Sequence, residues 1–315
     1  MTRAPQATPS ERAAPPLPRA PLALVGPTAS GKTQLAVALA GRLGAEIVVV
    51  DSMTVYRGMD VGTAKATPEQ RAAVPHHLVD VADPAEPFSV ERFQALARRV
   101  LADLRRRGVP ALLVGGSGLY FRAVVDDLRF PGTDPGLRRA LEAEAMALGP
   151  HALHRRLAGF DPAAAARIEP ANARRSVRAL EVAALTGHPF SSYAAEWDRY
   201  PADRVSAAGL APPAESLVRR IEERARRMLD LGLVEEVRGL LQRGAGPFLT
   251  SSQAIGYLEV VEHIEGRITL DEVLTRTVRR TRALARRQLS WFRRDPRIRW
   301  FETPTVDELE EHLWG

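Results

Sequence analysis

The sequence contains no cysteine, which excludes disulfide bonds and metal centres with cysteine ligands. This composition fits a reducing compartment, and we expect a cytoplasmic protein. Long apolar runs are also missing: no stretch of about 18 apolar residues occurs, so no transmembrane helix and no membrane partner are predicted. Lysine is nearly absent: of the 44 basic residues, only Lys32 and Lys65 are lysines. Where arginine serves almost everywhere else, a retained lysine indicates a need for a compact ammonium group, although chance retention is the alternative.

Charge is unevenly distributed along the chain. The 315 residues carry a formal charge of +6, and residues 271–300 alone hold ten arginines against three acidic residues. This segment accounts for the whole excess and indicates a polyanionic partner. Residues 1–20 are rich in proline, alanine and arginine and lack the apolar segment of a secretory signal, so a disordered tail is expected.

The order of predicted elements is typical of an α/β protein with a parallel sheet. Strands alternate with helices up to about residue 130, and residues 134–198 then show helical periodicity without a convincing strand. We therefore predict a core over residues 21–130 and 200–315 and an all-helical insertion over 131–199. The predicted strands are Leu22–Val25, Glu46–Asp51, His76–Val81, Ala111–Val114 and Val205–Leu210. The predicted helices outside the insertion are Lys32–Leu43, one from the cap Ser89 to Gly108, about Ser216–Arg243, and Asp271–Arg294, the last with an apolar stripe of Leu274, Val278, Ala285, Leu289 and Phe292.

The stretch GPTASGKT has the form G-x-x-x-x-G-K-[ST] between a predicted strand and a predicted helix. In such a loop the backbone N–H groups of residues 29–33 face phosphate oxygens, Lys32 neutralises them, and the Thr33 hydroxyl holds Mg²⁺. An ordinary glycine-rich turn is the alternative. The pattern indicates two or more linked phosphates and does not specify ATP. The predicted phosphate-binding residues are Gly26, Pro27, Thr28, Ala29, Ser30, Gly31, Lys32 and Thr33.

A feature of common nucleotide hydrolases is missing beside this loop. Those proteins have an apolar strand that ends in a metal-binding aspartate, whereas the strand ALLV here ends in Gly115 and Gly116. The carboxylates at strand ends are Asp51 and Asp80. Because Asp51 follows IVVV directly, it is predicted to lie beside the phosphate site, where it could contact a metal or an acceptor substrate.

Seven segments together resemble the tRNA dimethylallyltransferases, also called tRNA isopentenyltransferases. They occur in that family's order and cover about residues 20–300. Together they are highly specific, whereas a generic kinase shares only the first. The segments are GPTASGKT, DSMTVYRGMDVGTAK, HHLVDVADP, GGSGLYFRAV, RRSVRALEV, SSQAIGYLEV and RRQLSWFRR.

The resemblance implies transfer of a dimethylallyl group from dimethylallyl diphosphate to N6 of adenine 37, beside the anticodon of tRNAs that read codons beginning with U. It implies a P-loop NTPase-like core with a helical insertion that faces the tRNA. The catalytic residues implied are Asp51, Lys32 and Thr33, with Asp51 taking the proton from N6. The alternative for Asp51 is a structural cap or an indirect role at the metal. The partners implied are dimethylallyl diphosphate and the anticodon stem-loop of tRNA, with Mg²⁺ as cofactor, and we expect a monomer.

Matching the family's contact positions to this sequence predicts the tRNA-binding residues. In the stretch Arg286–Arg293 the residue types themselves also favour RNA binding. Arginines and Trp291 on one helix offer phosphate contacts and a stacking surface. A solvated arginine face and a core tryptophan are the alternatives. Arg174 and Thr54 stand where the family commonly has glutamine. The predicted residues are Asp51, Ser52, Met53, Thr54, Ser117, Arg138, Arg174, Arg175, Arg178, Gln253, Ala254, Ile255, Gly256, Tyr257, Leu258, Arg286, Arg287, Gln288, Trp291 and Arg293.

Three other functions share part of this pattern. A small-molecule or nucleoside kinase would use the same loop but has no need for a basic C-terminal helix. An adenylate isopentenyltransferase would modify free nucleotides, and the insertion and the arginine helix favour RNA instead. A non-catalytic RNA-binding protein would not require Asp51.

Overall fold

The structure is a computed structural model that describes residues 18–193, 197–244 and 254–314. A parallel sheet of six strands, in the order β3-β2-β4-β1-β5-β6, forms the centre of the described part. Its central strand β1 consists of four apolar residues without solvent exposure, which is typical of a sheet covered on both faces. The strands are β1 Leu22–Val25, β2 Glu46–Val49, β3 His76–His77, β4 Ala111–Gly115, β5 Ser206–Leu210 and β6 Ile298–Phe301.

Thirteen α-helices are described around this sheet. They are α1 Lys32–Leu43, α2 Pro68–Ala73, α3 Val90–Arg107, α4 Gly118–Val125, α5 Pro135–Leu148, α6 Pro150–Phe160, α7 Pro162–Arg167, α8 Ala173–Thr186, α9 Ala214–Asp230, α10 Leu233–Gln242, α11 Tyr257–Ile264, α12 Leu270–Phe292 and α13 Val306–Trp314. Short 3₁₀ helices cover Phe190–Tyr193 and Ala202–Arg204. Within the described ranges, every helix is too short or too polar to span a lipid bilayer.

Several predicted bounds are confirmed by the structure. Strand β1 and helix α1 have the predicted ends. Helix α3 is also confirmed: the Ser89 hydroxyl accepts a hydrogen bond from the Arg92 N–H at its start, and Gly108 ends it in a left-handed conformation. Strand β6 was not predicted from the sequence.

Two strand predictions were too long by at least two residues, and a third was too long by one, because β5 begins at Ser206. Strand β2 ends at Val49, two residues before Asp51. Strand β3 contains only His76 and His77, because Leu78 and Asp80 have φ angles of 65° and 59°, which no strand accommodates.

The long helix predicted over about Ser216–Arg243 is wrong, because α9 and α10 are separate helices. The break lies at Gly232, whose φ of 90° is incompatible with a continuous helix. The stripe predicted for α12 is also partly wrong: Val273 and Thr277 are buried, whereas Leu274 and Val278 are only half-buried. The N-terminal half of α12 packs into the main core through Val273, and Val278 packs against α9 instead.

Alternate residues of the strands enter two apolar clusters on opposite faces of the sheet, as the strand period requires. Ala23 and Val25 belong to the larger cluster, to which α3, α4 and α10–α12 contribute. Leu22 and Leu24 belong to the smaller one, which α1 and α13 cover. Because both faces are covered, the loops at the carboxyl edge of the sheet remain as the place for a ligand.

Residues 131–199 connect the sheet strands β4 and β5 by way of α5–α8, and their described part contains no strand. Helices α5–α8 share an apolar cluster of their own, built around the fully buried Leu153 and Leu157. The division into a core and an insertion domain stays a prediction, which this separate cluster supports.

A buried ionic cluster contacts the segment through which the chain returns from the insertion to β5. The Arg297 guanidinium binds Asp126 and Asp295 at 2.6 Å each, and Arg122 binds Asp126; all four side chains are at most 4% exposed. Arg122 also donates to the carbonyl oxygens of residues 197 and 199 at 2.9 and 2.8 Å. The Tyr200 ring lies 4.1 Å from the guanidinium carbon of Arg122.

Replacing Arg297 with methionine is expected to lower the free energy of unfolding by about 3–5 kcal/mol, because the buried Asp295 carboxylate loses its ion-pair partner and the buried Asp126 carboxylate keeps only Arg122. Urea denaturation measures this change. Arg92→Met is the matched control, since the exposed Arg92–Glu86 pair should contribute no more than about 1 kcal/mol. Equal effects of the two substitutions would contradict a structural role for the cluster.

Candidate active site

The predicted phosphate loop connects the central strand β1 to α1 at the carboxyl edge of the sheet. Ala29 and Gly31 have φ angles of 63° and 92°, so the chain turns through left-handed conformations before the helix begins. The Lys32 ammonium donates a hydrogen bond to the Pro27 carbonyl oxygen at 2.6 Å and thereby closes the loop upon itself. The free N–H groups of the first helical turn and the helix dipole make this end of α1 suitable for an anion.

Lys32 has an unusual electrostatic environment. Burial, the largest cause, and the positive charge of Arg224 together lower the pKa of its ammonium group to about 7, although the negative charge of Asp51 opposes this shift. These contributions place Lys32, Arg224 and Asp51 in one electrostatic unit. The neighbouring Thr33 is exposed on the first turn of α1.

Two arginines of α9, neither of them predicted from the sequence, extend this unit. Arg220 donates to the Ser30 carbonyl oxygen of the phosphate loop at 3.2 Å, and Arg224 donates to the Thr63 carbonyl oxygen at 3.3 Å. Burial lowers the pKa of Arg224, and Asp51 opposes this shift. Their i, i+4 spacing puts both on one helix face, but α9 contains several other arginines. No pattern in the sequence distinguishes this pair from them.

Asp51 follows β2 and is held by the turn that it starts. Its Oδ1 atom accepts hydrogen bonds from the backbone N–H groups of Met53 at 2.8 Å and Thr54 at 3.4 Å. The Ser117 hydroxyl, at the start of α4, accepts from the Ser52 N–H at 3.2 Å. The loops that follow β1, β2 and β4 therefore meet at one edge, with Lys32, Asp51 and Ser117 among their residues.

Lys65 anchors the far end of the loop that begins at Asp51. Its ammonium, only 2% exposed, donates at 2.6 Å to the Tyr56 carbonyl oxygen and to the carboxylates of Asp60 and Asp80. Burial alone would raise the pKa of Asp80, but Lys65 and Arg71 lower it. Asp80, the second carboxylate found at a strand end, thus has a structural ion pair and is not part of the phosphate site.

Glu236 of α10 fixes the middle of the same loop. Its carboxylate accepts three backbone N–H groups, those of Asp60 and Val61 at 2.8 Å and that of Gly62 at 3.2 Å. The Tyr257 hydroxyl donates to it at 2.6 Å. These contacts leave little freedom for the loop that positions Asp51.

Tyr120 lies between the core and the insertion. Its ring packs on Phe93 with 4.7 Å between centroids. Burial is the main cause that raises the pKa of its phenol, Tyr56 and Asp51 raise it further, and Arg174 lowers it. Arg174 of α8 is therefore close enough to influence the region around Asp51, although the two residues belong to different parts of the chain.

Comparison with known proteins identifies the family of this chain. The family model described as IPP transferase matches residues 54–295, and the one described as Isopentenyl transferase matches residues 21–77. The tRNA dimethylallyltransferase of Kineococcus radiotolerans is 55% identical over 295 residues, which are 91% of this chain and 92% of that protein. That of Streptomyces coelicolor is 50% identical over 297 residues, 94% of each chain.

The chain belongs to the tRNA dimethylallyltransferase family. A solved structure agrees: the full-length tRNA isopentenylpyrophosphate transferase from Bacillus halodurans has a TM-score of 0.67 and 41% identity, covering 93% of this chain and 94% of that one. A second, titled as eukaryotic dimethylallyltransferase acting on tRNA, has a TM-score of 0.73 at 23% identity over 93% of this chain and 76% of that one, and supports the fold. The predicted family and the P-loop-like α/β fold are thus confirmed.

The family's predicted tRNA contacts in the insertion have different environments. Arg138 and Arg178 both bind the fully buried Glu181 carboxylate, at 2.6 and 2.7 Å. Arg178 also donates to the Pro131 carbonyl oxygen at 2.6 Å. Arg174 and Arg175 are exposed on α8. Arg138 and Arg178 have a structural role in the described residues, and tRNA contacts at these positions stay a prediction.

Of the predicted tRNA-binding residues outside the insertion, some are exposed and others are buried. Gln253 lies outside the described residues. Ala254, Gly256 and Tyr257 are buried, and Leu258 is exposed. Met53 is half-buried against the core and Thr54 is buried. On α12 the exposed residues are Arg286, Arg287 and Arg293, whereas Trp291 is half-buried and the Gln288 side chain accepts a hydrogen bond from the Thr28 N–H at 2.8 Å.

The lowered pKa of Lys32 predicts that a diphosphate binds with proton uptake. The anion raises that pKa, so affinity falls as pH rises above about 7, where the free protein loses the proton. Calorimetry with inorganic diphosphate in buffers of different ionisation enthalpy measures the uptake. It should disappear in Lys32→Gln and begin at a higher pH in Arg224→Gln, which lacks the charge that lowers the pKa. The same uptake in wild type and Lys32→Gln would contradict the assignment.

Proposed function

We propose that this chain transfers the dimethylallyl group of dimethylallyl diphosphate to N6 of adenine 37 in tRNAs that read codons beginning with U, with release of diphosphate. One observation carries the proposal: a glycine-rich loop of the phosphate-binding form, with the half-buried cations Lys32 and Arg224, lies beside a carboxylate, Asp51, that is coupled to them electrostatically. The loop suits a leaving group, and the carboxylate suits an acceptor that must lose a proton.

The departing diphosphate explains why cations surround the loop. The allylic C–O bond ionises readily because the dimethylallyl cation is stabilised by resonance, so the developing diphosphate charge dominates the barrier. Lys32, Arg220 and Arg224 place three positive charges around the loop, where its N–H groups also face the anion. Because these groups are already held by the fold, little reorganisation is needed as the charge develops.

The described residues also fit Mg²⁺ as the cofactor. They contain no cluster of three or more histidine, aspartate or glutamate side chains that could enclose a metal. Mg²⁺ commonly binds through substrate phosphates with few protein ligands, and oxygen donors such as the exposed Thr33 hydroxyl suit it. Bound there, it would neutralise part of the diphosphate charge.

Asp51 is assigned as the base for the acceptor. The N6 amine of adenine is a poor nucleophile because its lone pair is delocalised into the ring, so a carboxylate that accepts its proton increases the rate. Oδ1 of Asp51 is held by the Met53 and Thr54 N–H groups, and we assign Oδ2 to the amine. The turn thereby orients the base without neutralising it.

The tRNA supplies the phosphate groups that the arginine-rich helix requires. Arg286, Arg287 and Arg293 are exposed on α12, and the same helix contacts the phosphate loop through Gln288. Base modification also requires that the adenine leave its stack and enter the site. We propose that the anticodon stem-loop binds across α12 and α8, and that the enzyme acts as a cytoplasmic monomer.

Incubation of the purified chain with labelled dimethylallyl diphosphate and unmodified tRNA tests the proposal directly. Label should be found on N6 of adenine 37. Label on free AMP instead would identify an adenylate isopentenyltransferase, and ATP turnover without any requirement for the allylic diphosphate would identify a kinase. Either result would overturn the proposal.

Asp51→Asn should lower kcat by about 10²–10⁴-fold, because the amide cannot accept the proton. The dissociation constant for tRNA should stay within about twofold of wild type in a filter-binding assay, since few contacts are lost. Asp83→Asn is the matched control, because Asp83 is a half-exposed carboxylate that pairs with Arg57. Loss of tRNA affinity with normal single-turnover chemistry would show that Asp51 is a binding residue.

Affinity for tRNA should fall steeply with salt, because arginine–phosphate contacts release counterions. Each of Arg286→Gln, Arg287→Gln and Arg293→Gln should reduce the slope of log K against log salt by about 1. Arg106→Gln is the control: Arg106 is exposed near the end of α3, at the opposite edge of the sheet. An unchanged slope in all three variants would exclude α12 as the phosphate-binding surface.

A further inference from the structure

Gln288 does not share the solvent-exposed surface of the arginines that surround it in the sequence. Its side-chain carbonyl oxygen accepts a hydrogen bond from the backbone N–H of Thr28 at 2.8 Å, across 260 residues of sequence. Arg286 and Arg287, directly before it, are exposed. Helix α12 therefore presents charge to solvent and, through Gln288, an amide to the phosphate loop.

The amide of Gln288 is wedged between the two glycine loops of the site. A β-carbon at Gly116 would lie 2.5 Å from the Gln288 amide nitrogen and 3.2 Å from the Gly26 carbonyl oxygen, so only glycine leaves room for this side chain. One turn further along α12, Trp291 packs directly over Gly118. The loops after β1 and β4 thus both contact the same face of α12.

Apolar contacts reinforce this connection. Ala29 of the phosphate loop packs against a small cluster to which α9 contributes Leu217 and Ile221 and α12 contributes Ala285, with Leu289 beside it. The loop is therefore supported by the same helix that carries the exposed arginines.

We propose that Gln288 is a positioning residue that couples the arginine-bearing helix to the diphosphate site. By accepting the Thr28 N–H it holds the first half of the loop in place, so that the N–H groups at the start of α1 stay in position for the anion. In this assignment Gln288 touches neither the diphosphate nor the tRNA, whereas the sequence predicts it as a tRNA-binding residue. The inference rests on the proposed function, since it concerns the donor of that reaction.

Gln288→Met tests the inference, because methionine has a similar length and no hydrogen-bonding amide. Loss of one supporting hydrogen bond should raise the KM for dimethylallyl diphosphate, and the dissociation constant for inorganic diphosphate, about five- to tenfold. The dissociation constant for tRNA should stay within about twofold. Thr275→Met, at an exposed position of the same helix, is the control and should change neither constant.

Gly116→Ala provides a second, independent measurement. Its β-carbon would displace the Gln288 amide, so this substitution should weaken diphosphate binding as well. The double variant should bind diphosphate no more weakly than the single variant that has the lower affinity. Additive losses would overturn the coupling, whereas a non-additive pair supports it.

The remaining outcomes are distinguishable. If Gln288→Met weakens tRNA binding and leaves diphosphate binding unchanged, Gln288 is a tRNA contact and the inference is wrong. If both affinities fall together with the melting temperature, its role is only structural and the inference is also wrong. If wild type fails to transfer the label to tRNA but Gln288→Met still loses affinity for inorganic diphosphate, the proposed function fails while the positioning role stands.

Discussion

The site depends on a carboxylate held beside two half-buried cations, Lys32 and Arg224. Burial removes solvent that would stabilise their charges and lowers the pKa of both, and the positive charge of Arg224 lowers the pKa of Lys32 further. Asp51 partly compensates both. The arrangement retains an excess of positive charge, which an anionic substrate would neutralise. A bound diphosphate would therefore stabilise charges that the fold itself stabilises poorly.

Such a site requires rigid support, because charged groups that can move apart would relax the repulsion. The loop that begins at Asp51 is held by Glu236, which accepts three of its backbone N–H groups, and by Lys65, which binds three oxygen atoms. Lys32 and Lys65 are the two lysines of the chain, and each ammonium donates to a backbone carbonyl oxygen at 2.6 Å. A compact ammonium group fits such places better than a planar guanidinium does.

Much of the fold could be predicted, because local patterns decide it. The phosphate loop, β1, α1 and α3 have strong end signals: glycine at the loop, a serine cap, and glycine in a left-handed conformation at the end of the helix. The break between α9 and α10 was missed because Gly232 lies inside a continuous helical period, where a single glycine is commonly tolerated. Strand β6 was missed because its burial comes from pairing with β5, far away in the sequence.

The sequence by itself determined the residue types of the candidate site: a glycine-rich loop of the phosphate-binding form, a carboxylate after the next strand, and a concentration of arginine near the C-terminus. Only the tertiary structure decided which of many arginines enter the site and which way a side chain faces. Arg220 and Arg224 face the phosphate loop, and Gln288 turns inward although its neighbours are exposed. The physical reason is that residue type and spacing specify local conformation, whereas contacts across 160 to 260 residues depend on how the helices pack against the sheet.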